Sequence, residues 1–391
     1  MAEIEHIITV QNVAHYAIEN NLCSRNQIKV ERPQKISGKN YNLLLDLQAG
    51  NSLLIKQERQ YSSGKTLGEF SNEWQVYRLL EDFPELHPIR LYFPKTLHFD
   101  ADNSIIVFEY QKNYQDLAEF YIKKNIYPTL IPEQIGKILA KIHRVAERKE
   151  YQEFLFLKQK DNLNRRILEM IGDLNRITPE IYSMVTADAL KFYSLYQRYD
   201  SLKNAIVELA NALQPCCLIH SDLKLSNILL HQDWRQEHFK TKQNENALIK
   251  LIDWERGTWG DPAFDLGTVI ASYLQLWLES LVVSKSIDLK TSMSLATTPL
   301  TLIQPSIAAL IKAYIHNSPK ILESYPNFLL RVTQCAGLSL IIQILAMIQL
   351  KYYFGNKGIC MLQVAKSLLC HPKNSFPIIC GTTELKLANY Q

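Results

Sequence analysis

The apolar residues of this chain change their spacing once, and that change limits the folds open to it. Up to residue 110 they fall in short runs of β type, 28–30, 41–47, 52–57 and 104–110. The runs are separated by the turns Ser37-Gly38-Lys39-Asn40, Ala49-Gly50-Asn51 and Asp100-Ala101-Asp102-Asn103. A helix from about Glu69 to Asp82 interrupts them and is stopped by Pro84. Another helix opens the chain, with Thr9 as its N-cap and Val10, Val13, Ala14, Ala17 and Ile18 at helical spacing. Beyond Tyr110 the period is helical over 132–148, 163–171, 187–212, 262–279, 305–316 and 326–350. Two short strands, 227–231 and 248–252, interrupt that region and are joined by a polar hairpin tip, 232–246. The pattern predicts an α+β chain in two lobes. Residues 1–110 form a small antiparallel sheet with a leading helix and one packed helix, and residues 111–391 form a larger, mainly helical lobe.

Composition narrows the function classes. With 47% hydrophobic and 21% charged residues over 391 positions, the chain is neither disordered nor collagen-like and can bury a sizeable core. Its net charge is +4 and no block of basic residues is present, so a nucleic-acid partner is not expected. Seven cysteines without metal spacing, including the adjacent Cys216 and Cys217, point to a reducing cytoplasm. Met1 to Glu5 carry two glutamates and lack the start of a signal peptide, so the protein is expected to stay inside the cell. The most apolar window, 335–350, contains Gln343 and Gln349 and falls short of the roughly 20 residues of a membrane span. It reads as a buried core helix, and no membrane partner is expected.

Polar groups that end apolar runs carry the chemistry. Leu218-Ile219 stops at His220-Ser221-Asp222, followed by Leu223-Lys224-Leu225-Ser226-Asn227; Leu251-Ile252 stops at Asp253-Trp254-Glu255. Each carboxylate therefore stands at the rim of a buried element. Two carboxylates and an amide so placed suit magnesium and phosphate. Phosphoryl transfer to an alcohol needs a carboxylate near the hydroxyl, oxygen ligands for Mg²⁺ and a cation on the non-transferred phosphates. Asp222 fits the first need, and Asn227 with Asp253 fits the second. In the first lobe, Lys56 lies in the apolar run Leu53-Leu54-Ile55-Lys56, where a charge needs a partner. Glu73 shares the apolar stripe of its helix with Phe70, Tyr77 and Leu80 and is the candidate.

His-x-Asp-x-x-x-x-Asn, Ile-Asp-Trp-Glu and Gly-Asp-Pro-x-x-Asp-Leu follow one another here as His220, Asp222 and Asn227; Asp253 and Glu255; and Gly260, Asp261, Pro262, Asp265 and Leu266. In this order and apolar frame the chain resembles the kinase-like phosphotransferases of the aminoglycoside phosphotransferase and choline kinase superfamily. The resemblance implies a bilobal protein kinase-like fold with ATP and Mg²⁺ between the lobes and transfer of the γ-phosphoryl group to a hydroxyl. It implies Asp222 as catalytic base, Asn227 and Asp253 as magnesium ligands, and Asp265 and His220 as structural supports of the catalytic loop. By the same resemblance Lys56 holds the α- and β-phosphates, Glu73 holds Lys56, and backbone groups of Glu109 and Tyr110 read adenine. The phosphate loop departs from the glycine-rich pattern: Ser37-Gly38-Lys39-Asn40-Tyr41-Asn42 has one glycine, with Asn42 fitting the asparagine common in related loops. The helix with Gly136, Leu139, Ala140, Ile142 and His143 looks like the Leu-x-x-Leu-His signature that begins the second lobe, and His143 reads as a packing residue.

From Arg256 onward there are 11 Lys or Arg against 6 Asp or Glu, and the family places its acceptor largely there. That surplus disfavours a polycationic aminoglycoside and favours another small-molecule alcohol. Lys224, two residues after Asp222, is placed as in Ser/Thr protein kinases, where it contacts the transferring phosphate. With the opening helix and the Asn40-Tyr41-Asn42 strand, it also resembles kinases of lanthipeptide-type peptide maturation, so a peptide Ser/Thr acceptor is the alternative. A pseudokinase that binds nucleotide without turnover is a third reading, opposed by the joint presence of Lys56, Glu73, Asp222, Asn227 and Asp253.

Overall fold

The computed structural model describes residues 8–29, 32–60, 66–156, 163–175, 186–236, 247–284, 286–351 and 353–382. The chain divides into two compact units, Met1–Gln115 with Leu229–Gly257, and Asp116–Ile228 with Thr258–Gln391. The expected strand pair 227–231 and 248–252, placed by the sequence in the second lobe, belongs to the first unit except for residues 227 and 228, and Asp253 belongs to the first unit too. Most of the polar tip, 237–246, lies outside the described residues, as does Val30 of the expected strand 28–30.

The first unit is built on a five-stranded antiparallel sheet in the order β1–β2–β3–β5–β4. Its strands are β1 (Gln34–Ile36), β2 (Tyr41–Asp46), β3 (Ser52–Gln57), β4 (Thr96–Asp100) and β5 (Ile105–Glu109). Side chains alternate across a strand. Leu43, Leu45, Leu53, Ile55, Ile105 and Val107 accordingly share one face, and Val13 and Ala17 of the opening helix cover it. On the opposite face Asn42, Lys56 and Ile106 stand directly across from one another. The helix Glu69–Asp82 packs there, Trp74 stacking on Phe99 at 5.6 Å and Tyr77 meeting Phe108 edge-on at 5.7 Å. Tyr114–Asp116, Ile228–His231 and Ile249–Leu251 form a separate three-stranded sheet in that order.

Two expectations for this unit are corrected. The opening helix is Val13–Glu19, shorter than the run expected, while Thr9 caps its entry as expected: Thr9 Oγ1 accepts from the Asn12 N–H (3.3 Å), Asn12 Oδ1 accepts from the Thr9 N–H (2.6 Å), and the Val13 N–H donates to the Thr9 carbonyl at 2.9 Å. Of the expected strand 28–30, the described Ile28 and Lys29 make an isolated bridge, Ile28 to Leu47, with the Lys29 N–H on the Asp46 carbonyl at 3.2 Å; the edge strand is the more polar Gln34–Ile36.

The second unit is mainly helical. The helix Pro262–Ser280 opens with Pro at its first position, and the Asp261 carboxylate accepts from Ala263 N. It runs against Phe328–Lys351 so closely that a Cβ on Gly267 would lie 2.5 Å from Cys335 Cβ. Leu130–Val145 approaches Leu300–Asn317 in the same manner, with a Gly136 Cβ falling 2.3 Å from the Leu310 carbonyl. Among the described residues Phe328–Gln349 is long and apolar enough to cross a membrane, longer than the expected window, yet 72% of its most apolar 18 residues are buried in the protein. That is the signature of a core helix. The expected helix 187–212 is two helices, Ala187–Gln197 and Asp200–Ala212, broken at Tyr199, which leaves helical backbone angles. A two-stranded ladder, Cys217–Ile219 with Thr258–Gly260, delivers the chain to His220.

Candidate active site

The site residues fall into two groups, one in each unit. In the first, Lys56 reaches from the middle of β3 to an ion pair with Asp253. Asp253 ends the run Ile249–Leu251 in the left-handed region (φ 60°), a conformation costly for a non-glycine residue, and keeps its carboxylate one-third exposed. Burial works against the Lys56 ammonium, but the carboxylates of Asp253, Glu73 and Glu255 outweigh it and hold its pKa above the ordinary lysine value.

Glu73 is almost fully buried and does not ion-pair with Lys56. One carboxylate oxygen accepts from Tyr77 OH and from the backbone N–H of Trp254, both at 3.1 Å, while the other is buried without a hydrogen-bond partner. Burial, with Asp253 and Glu255 adding to it and Lys56 opposing it, pushes the Glu73 carboxyl up to about 8. The expectation that Glu73 grips Lys56 is thus corrected. In this structure Glu73 fixes the peptide next to Asp253, and Asp253 takes the lysine.

The hairpin 37–40, expected as a phosphate loop, joins β1 to β2. A Cβ at Gly38 would lie 2.5 Å from Asn42 Nδ2, so glycine is required for the Asn42 side chain to fold under the loop; Asn42 Oδ1 is buried and unpartnered. Lys39 at the tip, not singled out from sequence, pairs with Glu69 and with Glu255 (3.5 Å to the latter). Asn72, also missed, donates to the carbonyls of Glu255 and Gly257 at 2.8 and 3.1 Å. The backbone N–H groups of Glu109 and Tyr110 are already used, donating to the carbonyls of Lys95 and Ser52 at 2.9 Å each. Their carbonyls, each with a second lone pair, are the backbone groups still able to accept a hydrogen bond there. The Glu109 side chain bonds Lys95 at 3.0 Å.

In the second unit the loop His220–Asn227 is organised by Asp265, which is fully buried. Its two oxygens accept the backbone N–H groups of His220 (2.8 Å) and Ser221 (2.9 Å), and His143 Nε2 lies 3.3 Å away. Burial alone would raise the Asp265 carboxyl, but His143 and His220 hold it below the usual carboxylate range. His143 also meets Tyr314 OH at 3.1 Å, so the expected packing residue is a member of a polar network. Ser221 is held at φ 65°, the left-handed region again, turning the chain so that Asp222 emerges one-quarter exposed. Lys224 Nζ donates to Asp222 Oδ2 at 3.0 Å, and the Asp222 N–H lies 3.4 Å from His220 Nδ1. Asn227 Nδ2 donates to the Asp222 carbonyl at 2.8 Å. That bond commits the amide nitrogen, and Oδ1 is the hard donor a cation needs. An Asp carboxylate and an Asn amide oxygen are the donor types Mg²⁺ takes alongside phosphates and water, so Asp253 and Asn227 fit that ion chemically.

Residues 117–277, which include Asp222, Asn227, Asp253 and Asp265, match the family model Choline/ethanolamine kinase. Over 186 residues the chain is 25% identical to 4-hydroxytryptamine kinase of Psilocybe cyanescens. That match covers 46% of each chain, so the likeness spans about half the length of this relative. Among solved structures, a choline/ethanolamine kinase family protein from Mesorhizobium loti aligns with a TM-score of 0.51 at 14% identity, over 95% of this chain and 99% of its own. The ADP-bound aminoglycoside phosphotransferase APH(2'')-Ib aligns with a TM-score of 0.50 at 15% identity, over 93% and 99%. At these identities the structural likeness is one of fold.

Proposed function

We propose that the chain is a kinase-like phosphotransferase related to the choline/ethanolamine kinases and that it transfers the γ-phosphoryl group of Mg-ATP to a hydroxyl of a small-molecule acceptor. The observation that carries this reading is the Asp222 loop. A carboxylate is raised on a strained residue, with Lys224 on one oxygen and Asn227 braced behind it, while Asp265 pins the backbone. Such a group can take the proton of a hydroxyl as its oxygen forms the new bond to phosphorus and the bond to the β-phosphate oxygen breaks. With Oδ2 bonded to Lys224, Oδ1 is left for that proton. Lys224, as a fixed cation, offsets charge on the phosphoryl group.

In the first unit, Lys56 is the partner of the non-transferred phosphates and Asp253 a ligand for Mg²⁺; in the second, Asn227 is of the donor type that ion also takes. When bound, that ion neutralises phosphate charge as a Lewis acid. The carbonyls of Glu109 and Tyr110 serve the adenine edge, and Gly38 and Asn42 shape the loop over the phosphates. The small-molecule acceptor is preferred to a peptide because the opening helix offered for the peptide reading is only seven residues long. The surplus of cations after Arg256 speaks against polycationic aminoglycosides. To identify the acceptor, γ-labelled ATP and Mg²⁺ are supplied with cell extract separated into small-molecule and peptide fractions, with kanamycin, choline and 4-hydroxytryptamine as defined alcohols. Label in the small-molecule fraction supports the proposal. Label on peptide Ser or Thr, or efficient kanamycin labelling, overturns the acceptor class, and nucleotide binding with no label anywhere makes the protein a pseudokinase.

A further inference from the structure

The first unit contains a cleft that phosphoryl transfer does not use. It encloses ≈ 340 Å³ between the C-terminal end of Glu69–Asp82, the Phe93–Thr96 segment and the strand Ile249–Leu251. That is within the roughly 300–1,000 Å³ range of small-molecule pockets. Its walls are apolar, from Leu80, Leu91, Phe93 and Pro94, but its charged groups are mostly cations: Arg90, Lys95 and Lys250 against the single carboxylate of Glu81.

We propose that this cleft binds a small organic anion, a carboxylate or phosphate monoester on an apolar body, at Lys250. The Lys250 ammonium donates to two backbone carbonyls, Leu91 at 3.1 Å and Phe93 at 3.4 Å, and lies 5.7 Å from the centre of the Tyr114 ring. Carbonyls and a ring face accept hydrogen bonds or polarise toward a cation, but they do not neutralise it. Among the described residues no carboxylate lies within ion-pair distance of Lys250, and one of its three N–H donors is left over for a ligand. Burial lowers its pKa, the cost of holding this charge without a counter-ion, and Glu109 offsets only part of that. Thr96 Oγ1, also in the lining, is buried with no partner and supplies a second donor. The rim cations are partly compensated, Arg90 by Glu81 at 3.7 Å and Lys95 by Glu109 at 3.0 Å, so they guide an anion inward more than they hold it.

The cleft is also wired to the nucleotide group. Tyr77 lines it and donates to Glu73; Phe93 lines it and stacks at 4.4 Å on Trp254, whose backbone N–H donates to the same Glu73 oxygen. A bound anion therefore touches both supports of the peptide next to Asp253, as an effector would.

The binding claim does not depend on catalysis and is tested by titration calorimetry on the full chain. The probes are phenyl phosphate and benzoate, with benzyl alcohol as the neutral control and a saturating non-hydrolysable ATP analogue as blocker of the nucleotide group. Binding of either anion, weakened about tenfold or more by Lys250→Met and about threefold by Arg90→Ala, with the ATP analogue not competing, is the expected result. Whichever probe binds more tightly identifies the headgroup as phosphate or carboxylate. Should Lys250→Met fail to fold, slowed amide exchange over residues 90–98 of the wild type on adding the probe decides the matter instead. No binding of either anion, benzyl alcohol binding equally well, displacement by the ATP analogue, or affinity indifferent to both substitutions overturns the proposal.

Discussion

Asp265→Asn tests whether the buried carboxylate organises the catalytic loop. The wild-type oxygens accept two backbone N–H groups at 2.8 and 2.9 Å and face His143 Nε2 at 3.3 Å. An amide has one acceptor oxygen, so whichever way it turns, its NH₂ meets a backbone donor. The loss is one charge-assisted hydrogen bond, about 1.5–3 kcal/mol, plus a buried N–H left unpaired, about 1–3 kcal/mol. Non-additivity leaves a net destabilisation of roughly 3 kcal/mol. Ser221, at φ 65°, relaxes once its N–H is released, and a shift of about 1 Å in Asp222 costs on the order of 10²-fold in kcat. The pH dependence has a definite sign. Because the folded Asp265 pKa lies below its unfolded value, its contribution is present above the unfolded pKa and is lost as pH falls through the folded one. The gap between wild type and variant should accordingly narrow in acid. Urea unfolding at several pH values and kcat measured alongside read all three effects. Stability within about 0.5 kcal/mol of wild type together with kcat within about twofold would refute the reasoning.

Other substitutions probe the remaining parts. Asp253→Ala should weaken Mg²⁺-dependent nucleotide binding about tenfold or more while leaving metal-free binding less affected, read by titration with and without the ion; equal effects in both conditions would remove Asp253 from the metal set. The Glu73 carboxyl, raised to about 8, gives stability that is full below its unfolded pKa and declines as pH rises toward 8. Glu73→Gln, which can still accept from Trp254 and Tyr77, should abolish that slope in urea midpoints measured from pH 5 to 9, and an unchanged slope would assign it to another group. Gly136→Ala should destabilise by about 1–3 kcal/mol because its methyl would press on the Leu310 carbonyl, and thermal unfolding checks it.

Much of this architecture is legible in the sequence because its short apolar runs and helical stripes keep the strand and helix periods. Lys56 on β3, Glu73 on its helix and Asp222 at the end of Cys217–Ile219 were placed by the apolar residues around them. What escaped depends on distance along the chain. Lys56 chooses Asp253 over Glu73 across 197 positions, and Asp265 grips His143 across 122, separations over which no local pattern operates. The edge strands Gln34–Ile36 and Thr96–Asp100 are short and nearly lack buried positions, so alternation had little to register. Leu300–Asn317 starts before Pro305, where a helix start was expected: the proline is the sixth residue of the helix and cannot donate to the carbonyl four residues back, yet the helix runs through it. Lys39 carried no signal at all: a lysine in a turn looks like any solvated lysine until Glu69 and Glu255 are brought to it.

The central claim, that Asp222 takes the acceptor's proton during phosphoryl transfer, is tested most directly by comparing wild type and Asp222→Asn for transfer from γ-labelled Mg-ATP into the small-molecule fraction, with ATP affinity measured on the same preparations. The account predicts a rate lower by about 10²–10⁴-fold with ATP affinity nearly unchanged. Transfer at the wild-type rate by Asp222→Asn would contradict it.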